Sequence, residues 1–110
     1  MRIDFKQVEE NVVANLRGGE KEVTMQRVTA DELTRFVRGK LVPGASIGLH
    51  KHEDDSETIY ILQGQGRMVI DDGEEILDTG DCHYCPKGHS HSLINNGDED
   101  LIFFAVLPKQ

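Results

Sequence analysis

From residue 39 onward, apolar and polar residues alternate in short stretches, each closed by a glycine or a turn. ASIGLHKH (45–52), ETIYILQG (57–64), GRMVID (66–71), EEILD (74–78), DCHYC (81–85), HSLIN (91–95) and LIFFAVL (101–107) have this pattern or are rich in β-branched and aromatic residues. Turn sequences DDG at 71–73, PKGH at 86–89 and NNGD at 95–98 separate several of them. Many short strands joined by glycine-rich turns predict an all-β sandwich or barrel. The first forty residues read differently. In DFKQVEENVVANLRGG, Phe5, Val8, Val12 and Leu16 recur near helical spacing, with Asp4 placed to cap the start and Gly18-Gly19 to end it, so a short helix is expected there. KEVTMQRV (21–28) reads as a strand, and Thr29-x-x-Glu32 has capping-box spacing that predicts a helical turn over about 30–35. The chain therefore divides into an N-terminal arm, 1–34, expected to pack on a partner barrel, and a β domain, 35–110.

Composition narrows the function. With 12 basic against 20 acidic residues the net charge is −8, which gives no electrostatic footprint for nucleic acid or an anionic membrane. The run LIFFAVL is far too short to span a bilayer, and MRIDFKQVEENVV has no apolar core of a signal peptide. Two cysteines and no export signal predict a cytoplasmic protein with free thiols.

His50 and His52 stand two apart in a strand-like stretch, which puts both rings on one face with Cα atoms roughly 6.5 Å apart. Glu57 opens the next strand on the same face as Ile59 and Ile61, where a carboxylate is costly to bury without a positive partner. A cation between Glu57 and the two rings would satisfy all three. Taken alone, the pair also fits two surface histidines beside a solvated acidic turn, Glu53-Asp54-Asp55. A second cluster, GDCHYCPKGHSHSLIN (80–95), offers Cys82, Cys85, His89 and His91 in a zinc-like order. Cysteines three apart in an extended stretch point to opposite faces, about 10 Å apart, and cannot share a metal or a disulfide. His83 is placed by alternation on either face, and His89 reads as a rim residue of the Pro86–Gly88 turn.

Together these segments resemble a known family. Gly44-x5-His50-x-His52-x4-Glu57-x6-Gly64 resembles the first motif of the cupin superfamily at every fixed position, and Gly80-x5-Pro86-x-Gly88-x2-His91-x3-Asn95 resembles the second. The resemblance covers about residues 35–107 and is closest to small, oxalate-decarboxylase-like bacterial cupins. It implies a double-stranded β-helix, a jelly-roll barrel, with one divalent metal held by His50, His52, Glu57 and His91. Three imidazoles and a carboxylate suit Mn, Fe, Ni, Co or Zn and leave positions open for a ligand. The implied function is binding of, or action on, a small oxygenated or carboxylate-containing metabolite, as a dioxygenase, decarboxylase or isomerase if it is an enzyme. The alternative is a non-catalytic cupin that senses a sugar or acid around a structural metal. Tyr60, Met68, Arg38 and Lys40 are the barrel-facing candidates for further chemistry, against their ordinary reading as sheet-surface residues. Apolar residues on both faces of LIFFAVL predict a strand covered on both sides and hence a homodimer.

Overall fold

The computed structural model describes all 110 residues. Ten strands run in order: β1 Asn11–Ala14, β2 Glu22–Thr29, β3 Thr34–Leu41, β4 His50–Lys51, β5 Glu57–Gln63, β6 Gly66–Ile70, β7 Gly73–Leu77, β8 Cys82–Cys85, β9 Ser90–Ile94 and β10 Leu101–Pro108. They form a six-stranded sheet, β1-β2-β3-β10-β5-β8, and a four-stranded sheet, β4-β9-β6-β7, every pairing being antiparallel. This is the double-stranded β-helix expected from the alternating pattern.

β10 lies between β3 and β5 and shows why its run is apolar on both faces. Leu101, Phe103, Ala105 and Leu107 are buried between the sheets with Val23, Leu41 and Ile61, facing Met68, Leu77 and Leu93 of the smaller sheet. Ile102, Phe104 and Val106 are half-buried on the outer side. Phe103 stands opposite Gly39, where an added Cβ would lie 2.4 Å from its ring, so only glycine lets that ring into the core. Gly64 takes a left-handed φ of +86° at the end of the first motif, and a Cβ there would press on the Asp100 carbonyl.

Two expectations for the N-terminal third are corrected. In place of the helix over 4–18 there is a 3-10 turn at Phe5–Gln7, the strand β1, and a second 3-10 turn at Leu16–Gly18. Asp4 does cap, accepting from the Lys6 amide, but Val12-Val13 are β-branched and pair with Val23 and Thr24 of β2. Asn15 (φ 54°) and Arg17 (φ 56°) then enter left-handed conformations that no α-helix continues through. The helical turn at 30–35 is replaced by a tight reversal. Asp31 Oδ1 accepts from the amides of Leu33 and Thr34, both at 2.9 Å, and β3 begins at once. The side chain has competed for the amides a helix would use.

β1 and β2 thus extend the larger sheet. The turn at Phe5–Gln7 lies across its outer face, where the Gln26 amide donates to the Phe5 and Val8 carbonyls and Phe5 meets the Phe104 ring edge-on at 6.0 Å. Phe36 stacks on the same Phe104 ring, their centroids 6.1 Å apart. Of the barrel-facing candidates, Met68 is fully buried inside. Arg38, Lys40 and Tyr60 take the outward positions of β3 and β5, alternating with buried Val37, Leu41, Ile59 and Ile61.

Candidate metal centre

Glu57, Ile59 and Ile61 are buried on one face of β5, as their alternation predicts. β4 sits across the barrel in the other sheet, and its register sets His50 opposite His91 of β9. His52 follows directly after β4, its amide and carbonyl tied to His89 and Gly88. The two sheets therefore bring the four side chains to one point. The ligand atoms of His50, His52, Glu57 and His91 all lie within 4.8 Å of one another. His52 Nε2 is 3.0 Å from His91 Nε2, and Glu57 Oε1 is 3.1 Å and 2.9 Å from those two nitrogens.

The outward nitrogens are as informative as the inward ones. His50 Nδ1 donates to the Gly48 carbonyl at 2.8 Å, and His52 Nδ1 donates to Asp55 Oδ1 at 2.7 Å. Both acceptors lack protons, so each ring must carry its hydrogen on Nδ1, which leaves Nε2 as the nitrogen available to a metal. Asp55 is held in turn by Arg35, whose Nη2 lies 2.9 Å from its other oxygen. His91 Nδ1 meets His83 Nε2 at 3.0 Å, and His83 Nδ1 meets Glu75 Oε1 at 2.7 Å.

Electrostatics follow from burial and these contacts. Burial opposes ionisation of Glu57, but hydrogen bonds from His52 and His91, and their charges, outweigh it and bring the carboxyl down to about 2. The hydrogen bond to Glu57 raises His52 above the usual histidine value against the effect of burial, and Asp55 adds to the rise. Burial lowers His50, with the Gly48 carbonyl opposing, and it lowers His83 against the pull of Glu75. An anionic carboxylate among three imidazoles is a donor set for a borderline transition metal.

The cluster borders a cavity of about 610 Å³ whose apolar lining includes Met25, Ile47, Ile59, Leu93 and Phe103. Arg27, which faces inward beside Met25 on β2, lines the same cavity and makes no ion pair.

Other sequence candidates fall elsewhere. Cys82 is exposed and Cys85 buried, on opposite faces of β8 as their spacing predicts, and both are free. Burial pushes the Cys85 thiol up to about 11. His89 stands at the rim, its Nδ1 2.7 Å from Asp71. Asn95 is fully buried and holds a turn, donating to the Leu41 and Glu99 carbonyls. Asp55, read from sequence as part of a solvated turn, is instead half-buried against His52, and its position three residues after that histidine is the signal that could have found it. His83 proves to face the barrel, and Glu75 was not singled out by any motif.

Comparison with known proteins bears on the family and the fold. The family model described as "Cupin domain" matches residues 37–107. The oxalate-binding protein of Thermotoga maritima is 42% identical over 101 residues, spanning 86% of this chain and 83% of that one. A crystal structure of a predicted oxalate decarboxylase from Thermotoga maritima superposes with a TM-score of 0.93 at 36% identity, covering 100% of both chains. The oxalate decarboxylase of Bacillus subtilis is 35% identical over 69 residues, 58% of this chain and 18% of that much longer protein.

Proposed function

We propose that this chain, which belongs to the cupin family, holds one divalent transition metal through His50, His52, Glu57 and His91 and binds a small carboxylate on it. The observation that carries the reading is the convergence of four ligand atoms within 4.8 Å, with His50 and His52 anchored through Nδ1 so that Nε2 is available. Bound there, the metal would act as a Lewis acid, with Mn, Fe, Ni, Co and Zn all compatible with the donors. The chain's own residues orient the rings, keep water from the inner wall and supply counter-charge. Arg27, unpaired on the cavity lining, is suited to a carboxylate's two oxygens. The name of the Thermotoga maritima relative, an oxalate-binding protein, supports a ligand of this class.

Binding is preferred to catalysis on one ground. A decarboxylation or isomerisation needs a group that moves a proton at the reacting atom. The inner lining, Met25, Ile47, Ile59, Leu93 and Phe103, is apolar, Glu57 is committed to the cluster, and the other acids and amines of the cavity, Asp31, Glu32, Lys51, Glu53, Asp54 and Lys109, are all solvent-exposed. The second reading, a metal-dependent enzyme, is favoured by the similarity to oxalate decarboxylase over 58% of the chain. A calorimetric titration of oxalate into metal-loaded and chelated protein separates the cases. Binding to the loaded protein alone, with oxalate recovered intact, supports the first reading, and release of formate or carbon dioxide supports the second. Equal binding with and without metal would remove both.

The chain is further proposed to be a cytoplasmic homodimer. Free Cys82 and Cys85 suit a reducing compartment. The outer face of the larger sheet carries exposed Tyr60, Leu62 and Tyr84 beside half-buried Ile102 and Phe104, an apolar surface that a partner, reached in part through residues 1–34, would cover. Light scattering that gives a monomer mass at micromolar concentration would refute the dimer.

A further inference from the structure

The inner face of β2 changes character along its length. Val23 and Met25 are buried in the core, while Arg27 and Thr29, the next two positions on that face, are exposed where they line the mouth of the cavity. Register fixes Arg27 there: it pairs with Val37 of β3, Val37 with Ala105 of β10, and Ala105 with Ile59 of β5. Directly paired residues share a face, and Val37, Ala105 and Ile59 all belong to the core, so Arg27 projects inward as they do. Its guanidinium makes neither an ion pair nor a hydrogen bond within the chain. In the adjoining row, Arg35 pairs with Thr29 on one side and Leu107 on the other.

The wall between these arginines and the ligand cluster is apolar. From Glu57 and Ile59 on β5 to Arg35 and Arg27, the inner face of the larger sheet presents Leu107, Ala105 and Val37. β3 lies two strand spacings from β5 and β2 three, roughly 10 and 14 Å at about 4.8 Å each. A cluster that takes one carboxylate, a belt suited to methylenes and a free guanidinium beyond it make a two-ended site. Oxalate, whose carboxylates share one bond, cannot reach from one end to the other. Charge narrows the second end. Arg35 already gives one side of its fork to Asp55 at 2.9 Å, which leaves Arg27 as the unanswered guanidinium. Exposed Glu32, Glu53 and Asp54 around the mouth disfavour a doubly charged phosphoryl group there. A singly charged carboxylate matches Arg27 bidentately.

The geometry points to a ligand class narrower than small carboxylates: a straight-chain dicarboxylate with one acid group at the metal, its methylenes against Val37, Ala105 and Leu107, and its other acid group forked on Arg27. This rests on the metal and carboxylate reading proposed above and adds to it a specificity-determining residue, Arg27. Arg38, next to Val37 on β3 but on the outward face, carries the same charge away from the cavity and serves as the control.

The test uses the intact chain loaded with Zn²⁺ and its Arg27→Met, Arg27→Lys and Arg38→Met variants, each checked for native circular dichroism and for Zn²⁺ content. Calorimetric titration compares glutarate with pentanoate, which has the same carbon chain but lacks the second carboxylate, and with oxalate. Wild-type protein should bind glutarate about tenfold or more tightly than pentanoate, the effect of a charge-assisted pair. Arg27→Met should bring glutarate down to the level of pentanoate and leave pentanoate and oxalate unchanged. Arg27→Lys, a charge without the fork, should keep part of the preference, and Arg38→Met all of it. A folded Arg27→Met with the wild-type preference, or wild-type protein that binds glutarate and pentanoate equally, would overturn the inference and leave the carboxylate reading standing. So would weakened oxalate binding in Arg27→Met, since Arg27 would then touch the metal-bound carboxylate itself. Wild-type protein that takes up no Zn²⁺, or that binds none of the three anions, would overturn the reading beneath it and this inference with it.

Discussion

Lowering the pH from 7.5 to 5.5 should remove at least half of the stabilisation that metal confers, and His52 should dominate the loss. In the metal-free protein its hydrogen bond to Glu57, helped by Asp55, raises its pKa above 6.5. At pH 5.5 such a ring is protonated by at least about ten to one, so a metal that needs its lone pair binds at least tenfold more weakly. His50, which burial lowers, takes up its proton only at more acid pH and contributes less. With metal at a hundredfold excess over Kd at pH 7.5, the stabilisation is about 2.7 kcal/mol; a tenfold weaker Kd leaves about 1.4 kcal/mol. For a domain of this size about 4 °C of Tm accompanies each kcal/mol, so a shift of about 11 °C should fall to about 6 °C or less. The sign is fixed: a raised His52 favours the protonated, metal-free form, so acid must shrink the increment. Thermal unfolding with and without Zn²⁺ at both pH values measures it, and calorimetry in two buffers of different ionisation enthalpy should register protons released on binding. An increment that is unchanged or larger at pH 5.5, or binding without proton release, would refute the reasoning.

Three further outcomes follow from the same structure. Glu57 is held at about 2, so the stability it contributes to the metal-free protein is fully present above about pH 4.5 and lost as pH falls towards 2; Glu57→Gln should lose that acid-range dependence in chemical unfolding and also lose the metal. Cys82 should react at once with a thiol reagent at pH 8, whereas buried Cys85, pushed up to about 11, should react only as fast as the barrel opens; two fast thiols would mean that β8 is misplaced. Phe103→Ala should cost about 3–5 kcal/mol in denaturant unfolding, because the ring fills the space left by Gly39.

The parts of the molecule legible in the sequence are those in which spacing and periodicity act within one segment. His50, His52 and Glu57 share motif spacing with a strand alternation that also marks Ile59 and Ile61, and opposite faces for Cys82 and Cys85 follow from a separation of three residues. What was not legible depends on register between segments. Whether His83 faces inward is decided by its pairing opposite Ile59, and its link to Glu75 by how the two sheets that carry β8 and β7 pack on each other, neither of which leaves a trace in local spacing. The N-terminal helix failed for a related reason. Phe5, Val8, Val12 and Leu16 suit a helical face, yet β2 offers Val12 and Val13 a ladder, and tertiary pairing overrides a weak local preference.

The most direct test of the account is metal content, measured by mass spectrometry on protein purified without a histidine tag. About one divalent transition metal per chain is expected, lost in His52→Ala and kept in His89→Ala and Cys82→Ala. A site emptied by Cys85→Ser but still filled in His50→Ala would contradict it.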